Sequence, residues 1–319
     1  MTGLVAGPSE QWLVEDLLRV EDVLATTAGG SSHPLTAEAS THLIKAGGKR
    51  LRPALVLTTS RAGRAGERAT DLAAAALELV HLATLYHDDV IDETETRRGV
   101  PTVHAKWGLQ VAVLAGDYLF ACGCGLGAEA GGEVPGILSN AIANVCEGQI
   151  VESEALENAQ RAPSEYIATI KLKTASLFAA ACELGSSTSG VEGATRAALA
   201  DYGLNLGIAF QLVDDLLDLV GDPELTGKEL GTDLREGVFT LPVLLAAQRD
   251  ERLAHDLDAG LRDLEVVLKS LHATGAVSDT LAEARGYGKA ASSALSGLPE
   301  SEWRSVLDKT VEGVLAQVP

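Results

Sequence analysis

Five acidic side chains, Asp88, Asp89, Asp92, Glu93 and Glu95, fall within eight residues and run straight into Arg97 and Arg98. On an α-helix Asp88 and Asp92 share a face, with Asp89 beside them. Carboxylates this close repel one another unless positive charge lies between them. Hard divalent cations take oxygen ligands, and Mg²⁺ in particular combines one or two carboxylates with substrate phosphates. A single Asp-Asp-x-x-Asp also suits a solvated helix end. The second copy of the spacing, Asp214-Asp215-x-x-Asp218, weakens that plainer account. Its neighbours Leu212, Val213, Leu216, Leu217, Leu219 and Val220 are those of a buried helix, where an unpartnered carboxylate is costly. Two such clusters facing each other across a helical cavity are expected to hold a set of Mg²⁺ ions and, through them, a diphosphate.

Other polar groups fall where an anion would need them. Gly47-Gly48-Lys49-Arg50-Leu51-Arg52-Pro53 sets three cations behind two glycines. Glycine ends the preceding helix and lets backbone amides approach a ligand, so the stretch suits a diphosphate cradle, although a basic helix cap has the same composition. His81 lies two turns before Asp88 on the same helix face. A histidine there is either a satisfied core residue or a ligand-facing one.

The elements that must position these groups read as helices. An amphipathic arm covers about Ser9 to Thr26, and a short helix ends near Lys45. Helical pattern then covers Arg52 to Ser60, Glu67 to Asp92 and Trp107 to Ala128, followed by a helix from Pro135 to about Asn158. A further helix starts at Pro163 and carries Lys171, Lys173 and Thr174 to Leu184. Gly185 to Gly190 reads as a loop, and a long helix from Glu192 to Val220 presents the second acid cluster. Asp222 to Thr240 reads as irregular and glycine-rich, a place for a substrate-covering segment. More amphipathic helices follow Leu241, and no convincing strand or repeat is found.

Composition narrows the classes. Lys and Arg number 25 against 45 Asp and Glu, a net charge of −20, which argues against nucleic acid. Apolar residues make up 46%, rich in Ala and Leu, enough for a sizeable helical core. Cys122, Cys124, Cys146 and Cys182 show no zinc spacing and suit free thiols in a reducing compartment. Met1 to Pro8 lacks the basic head and apolar run of a signal peptide. Trp107 to Ala128 comes nearest to a membrane span, but Asp117 and its glycines favour a core helix. A cytoplasmic protein without a transmembrane segment is expected.

Together the motifs resemble the trans-polyprenyl diphosphate synthases, head-to-tail prenyltransferases of the isoprenoid synthase fold. The resemblance spans nearly the whole chain. It rests on Gly47 to Pro53, Asp88 to Gly99, Lys173-Thr174, Phe210-Gln211 with Asp214 to Asp218, Gly231 to Gly237 and Thr240-Leu-Pro242. It implies an all-α, single-domain bundle over residues 1–319 around a deep central cavity, with residues 1–30 as an N-terminal helical arm, and usually a homodimer. Asp88, Asp89, Asp92, Asp214, Asp215 and Asp218 would hold Mg²⁺, three ions per site, that grip an allylic diphosphate. Arg97, Lys173, Thr174, Gln211 and Lys228 would contact that diphosphate. Gly48, Lys49, Arg52, His81 and Arg98 would hold isopentenyl diphosphate. Many relatives carry lysine where this chain has Val238, so Lys228 and Arg97 would take more of that role.

Product length rests on Ala83 and Thr84, five and four residues before Asp88. In the family a bulky aromatic there blocks the growing tail, so two small residues imply an all-trans product of about C30 to C50, a quinone side-chain precursor. Phe120 is a further candidate limit. The alternatives are a geranylgeranyl or farnesyl diphosphate synthase, or a subunit of a heteromeric synthase. A terpene cyclase would need a different second metal motif and no isopentenyl cradle. A plain helical scaffold gives no reason for paired acid clusters in apolar helices.

Overall fold

The computed structural model describes residues 10–221 and 230–318. Two compact units are distinguishable. The first contains the residues up to Ile142 with Leu177–Asp201 and Gly297–Thr310, and the second Ala143–Ser176, Tyr202–Ser296 and the residues from Val311.

In the first unit α1 (Gln11–Ala28) buries Leu13, Leu17, Val20 and Leu24, the single stripe its periodicity demands. Two short helices, α2 (Pro34–Ser40) and α3 (His42–Lys45), lead to α4 (Leu51–Ser60) and then α5 (Arg68–Ile91). The Ala73–Ala76 run is wholly buried, because small side chains let other helices come close to α5. After α5 a two-residue ladder forms, β1 (Thr96–Arg97) antiparallel to β2 (Val100–Pro101). No strand is expected from the residue pattern, and among the described residues these two are the only ones. Arg98 and Gly99 turn the hairpin with φ of 54° and 76°, as a two-residue loop with both φ positive requires.

The short α6 (Val103–Trp107) precedes α7 (Leu109–Ala130), which packs along α5. Gly123 permits the approach, since a Cβ there would lie 3.0 Å from the Ala76 carbonyl and 3.2 Å from Val80. The opposite face of α7 is open, with Leu109, Val113 and Leu114 exposed. Helix α7 is long and apolar enough to cross a membrane, and 39% of its most apolar window is buried. A lone helix of that kind also suits a soluble core or an interface.

Next come α8 (Val134–Glu154) and α9 (Pro163–Ile170), then a π-helical turn at Lys171–Ala175, α10 (Ser176–Ser189) and α11 (Gly193–Val220). The expected loop at Gly185 to Gly190 is corrected: α10 continues to Ser189. The Ser186, Thr188 and Ser189 hydroxyls donate to carbonyls four residues back, which satisfies them inside the helix. Gly185 faces Val56 and Thr59 of α4, so it serves close packing and does not break the helix. In the second unit α12 (Thr232–Glu236) precedes α13 (Leu241–Arg249), which packs on α14 (Glu251–Asp258), α15 (Leu264–Thr274) and α16 (Ala276–Ala294). Helix α17 (Glu302–Leu315) closes the described chain.

Candidate active site

The first acid cluster occupies the C-terminal end of α5, where Asp92 is the cap residue and its N–H donates to the Asp88 carbonyl at 2.8 Å. Asp88 and Asp92 are half-buried and Asp89 is buried. Arg97, brought back by the hairpin, donates its Nε–H to Asp89 Oδ1. Asp89 Oδ2 is buried and has no hydrogen-bond partner. Burial pushes the Asp89 carboxyl up, and the Arg97 guanidinium offsets part of that. An orphaned carboxylate oxygen beside two further carboxylates fits a hard cation, although no preassembled cage of three or more ligands exists among the described residues.

The hairpin sends its second arginine elsewhere. Arg98 donates to the Leu43 carbonyl at 3.1 Å and to the Gly47 carbonyl. It thereby joins the Gly47–Arg52 loop, where Gly48 is so close that an added Cβ would sit 2.9 Å from the Arg98 Nη1. Gly48 and Lys49 are exposed, and Arg52 is half-buried with its guanidinium 4.9 Å from the Phe178 ring centroid. Arg52 Nε is buried without a hydrogen-bond acceptor. Desolvation brings the Arg52 guanidinium down to about 10, still charged at neutral pH. His81 is held well below the usual histidine range by desolvation and then by the positive charges of Arg52 and Arg98, so it is a neutral donor. The structure therefore gathers Gly48, Lys49, Arg52, His81 and Arg98 about one loop, a cationic cradle with an unsatisfied donor.

The second cluster lies on α11. Asp214 is exposed, whereas Asp215 is fully buried and accepts the Tyr166 hydroxyl at 2.5 Å on Oδ2 and Gln211 Nε2 at 2.9 Å on Oδ1. Gln211 in turn accepts from Thr174 at 2.9 Å. Asp218 accepts the Thr232 and Asp233 amides at 3.1 and 3.3 Å, which ties α11 to the start of α12. Lys173 pairs with Glu152. Both Lys173 and Thr174 belong to the π-helical turn, against which Gly148 lies so close that a Cβ would sit 2.5 Å from the Lys173 amide nitrogen. Wide turns of this kind are frequent at functional sites, where they change the direction of neighbouring side chains. Tyr166, Glu152 and Gly148 were not predicted, since their roles depend on partners 49, 21 and 25 residues away. Lys228 lies outside the described residues.

Asp215 yields a first prediction. Burial pushes its carboxyl up to about 8, against 3.8 ordinarily, with Tyr166 and Gln211 offsetting part of the shift. The unfolded chain releases this proton near 3.8 and the folded chain near 8. The folded state therefore binds more protons between those values, and stability falls as pH rises through that window. Thermal melts in a chelator should show this decline, and Asp215→Asn should flatten it. An unchanged slope in the variant would contradict the assignment.

All-helical architecture, two Asp-Asp-x-x-Asp helices and a glycine-backed cationic loop define a trans-prenyltransferase of the isoprenoid synthase fold. The polyprenyl synthetase family matches residues 33–269, and the chain belongs to it. Heptaprenyl diphosphate synthase component 2 of Geobacillus stearothermophilus is 37% identical over 302 residues, covering 93% of this chain and 94% of that protein. A decaprenyl diphosphate synthase from Rhodobacter capsulatus superposes with a TM-score of 0.91 at 38% identity, covering 97% of this chain and 98% of that one. A polyprenyl synthase from Caulobacter crescentus, solved with calcium and isoprenyl diphosphate, gives 0.90 at 36% identity, with 96% of each chain covered. Similar proteins also include geranylgeranyl diphosphate synthases, so the likeness does not choose a product length. The protein is a transferase of prenyl groups.

Proposed function

We propose that this chain condenses isopentenyl diphosphate head-to-tail with an allylic diphosphate, making an all-trans product of about C30 to C50 for a quinone side chain. The observation that carries the reading is the hairpin: one two-residue turn sends Arg97 to Asp89 and Arg98 to the Gly47–Arg52 loop. Adjacent arginines thus serve an acid cluster and an anion cradle, the two needs of a reaction between two diphosphates. Asp88, Asp89, Asp92 and Asp214 would hold Mg²⁺ directly, and Asp215 and Asp218 would contribute through the bonds that fix α11. When bound, the ions offset the charge that builds on the departing diphosphate.

Arg97, Lys173 and Thr174 would bind and orient the allylic diphosphate, and Gln211 positions Thr174. Gly48, Lys49, Arg52 and Arg98 would hold isopentenyl diphosphate, with neutral His81 donating a hydrogen bond. Phe178, fully buried, lies under the Arg52 guanidinium and keeps water from that face of it. Small residues at Ala83 and Thr84 support the longer product. The test is mass analysis of products made by the purified chain from isopentenyl diphosphate and farnesyl or geranylgeranyl diphosphate with Mg²⁺. Products of about C30 to C50 are expected. No extension by the chain alone would support the second reading, a subunit of a heteromeric synthase, which the name of the Geobacillus relative raises.

A homodimer in the cytoplasm completes the reading. The open face of α7 carries Leu109 at 62% and Leu114 at 58% exposure, a stripe that a second copy would cover. The cysteines are free thiols, as a reducing compartment keeps them. Leu114→Glu should convert the dimer to monomer in sedimentation analysis. A variant that sediments like the parent protein would place the interface elsewhere.

A further inference from the structure

Arg50 stands in the middle of the diphosphate cradle and yet turns away from it. Its backbone has φ of 51°, in the left-handed region that a side chain rarely adopts, and its side chain is 4% exposed. Nε donates to Glu21 of α1, and Nη2 reaches the other Glu21 oxygen at 3.3 Å. Nη1 donates to Glu78 of α5 at 3.2 Å and to the Gly47 carbonyl at 3.4 Å, while Nη2 also reaches the Ile44 carbonyl at 3.3 Å. One guanidinium thus ties together α1, the end of α3, the glycine loop and α5. Arg98 donates to the same Gly47 carbonyl.

Resting on the proposed prenyl transfer, we infer that Arg50 is a positioning residue for isopentenyl diphosphate, clamped by Glu21 and Glu78, which makes α1 part of the substrate site. The strained residue lies between Lys49 and Arg52, so its conformation sets where both of those cations point. Left-handed backbone at a non-glycine residue persists only where surroundings over-determine it, and here two carboxylates and two carbonyls do so. The clamp also tempers the charge. Lys49, Arg50, Arg52 and Arg98 carry four positive charges against two negative ones on Glu21 and Glu78, which leaves a formal excess of two facing an anionic substrate. Arg52 and Arg98 are thereby kept near one another without a bound anion.

Arg50→Lys keeps the charge but cannot reproduce a five-donor planar fork. The expected result is a KM for isopentenyl diphosphate raised about tenfold or more, with kcat and the allylic KM within about twofold of the parent enzyme. Glu21→Gln is the milder second variant, since Glu21 lies at the more exposed end of the clamp. Its sign is diagnostic. Removing a negative charge from a cationic cradle strengthens anion binding by electrostatics alone, so a raised isopentenyl KM reports lost positioning. An isopentenyl KM that is unchanged or lower in Glu21→Gln would overturn the inference, as would a parallel fall of both affinities and kcat with Tm in Arg50→Lys. If the parent enzyme does not consume isopentenyl diphosphate at all, the proposed function fails first and independently of either variant.

Discussion

Asp88→Ala is expected to lower kcat about 10³-fold or more at saturating Mg²⁺ while leaving the fold intact. Asp88 sits half-buried at the end of α5, so truncation leaves no cavity in the packed part of the helix. What is lost is charge on the face that Asp92 shares. Ionising an allylic carbon–oxygen bond places growing negative charge on the leaving diphosphate, and removing one carboxylate proposed to hold its counter-ions would remove stabilisation made chiefly in the transition state. Asp214→Ala should act alike, because Asp214 is the exposed carboxylate of its cluster while Asp215 and Asp218 are engaged by Tyr166, Gln211 and two backbone amides. The double variant should be hardly worse than either single one, as groups that act as a unit are not additive. Measured kcat values within about tenfold of the parent enzyme would remove these residues from the reaction.

Thr84→Phe is expected to shorten the dominant product by one or more five-carbon units. Thr84 lies one turn before Asp88 on the same face of α5, so a ring there stands in the path of a tail leading away from the diphosphate end. Thr84 is itself nearly buried, at 8% exposure, whereas Ala83 is enclosed completely. It shares a stripe with Ala76, Val80 and His87, and these residues meet Gly123 and Gly116 of α7. Ala83 is wholly buried there, so phenylalanine would force the two helices apart at a cost of about 1–3 kcal/mol. Thr84→Phe is thus the cleaner probe of product length, and Ala83→Phe should also lower Tm. A Thr84→Phe enzyme with the parent's product distribution would show that the limit lies deeper. Phe120, whose ring centroid is 5.5 Å from that of His87, is the next position to vary.

Much of this arrangement was legible in the chain itself. Leucine and alanine periodicity predicted the helices, and the repeated aspartate spacing predicted acid clusters at helix positions where they are found. Local pattern could not show what the chain brings from afar. Arg50 looks like another cation in a basic loop until Glu21 and Glu78, 29 and 28 residues away, turn it inward. Asp218 reads as a third equivalent ligand, and nothing near it in the chain foretells the two amides of a later segment that its oxygens also accept. Gly185 looks like a helix stop, but the adjoining surface of α4 has room only for a glycine and the following hydroxyls satisfy themselves within the helix. The π-helical turn under Lys173 has no sequence signal of its own, for it forms against Gly148 on another helix.

The claim beneath all of this is that the acids of α5 and α11 serve the same diphosphate through shared divalent ions. Crystals grown with Mn²⁺ and inorganic pyrophosphate, measured at the manganese absorption edge, test it directly. The account predicts anomalous peaks within bonding distance of Asp88 or Asp92 and of Asp214, bridged by one pyrophosphate. Peaks confined to one cluster, or pyrophosphate bound without metal at either, would contradict it.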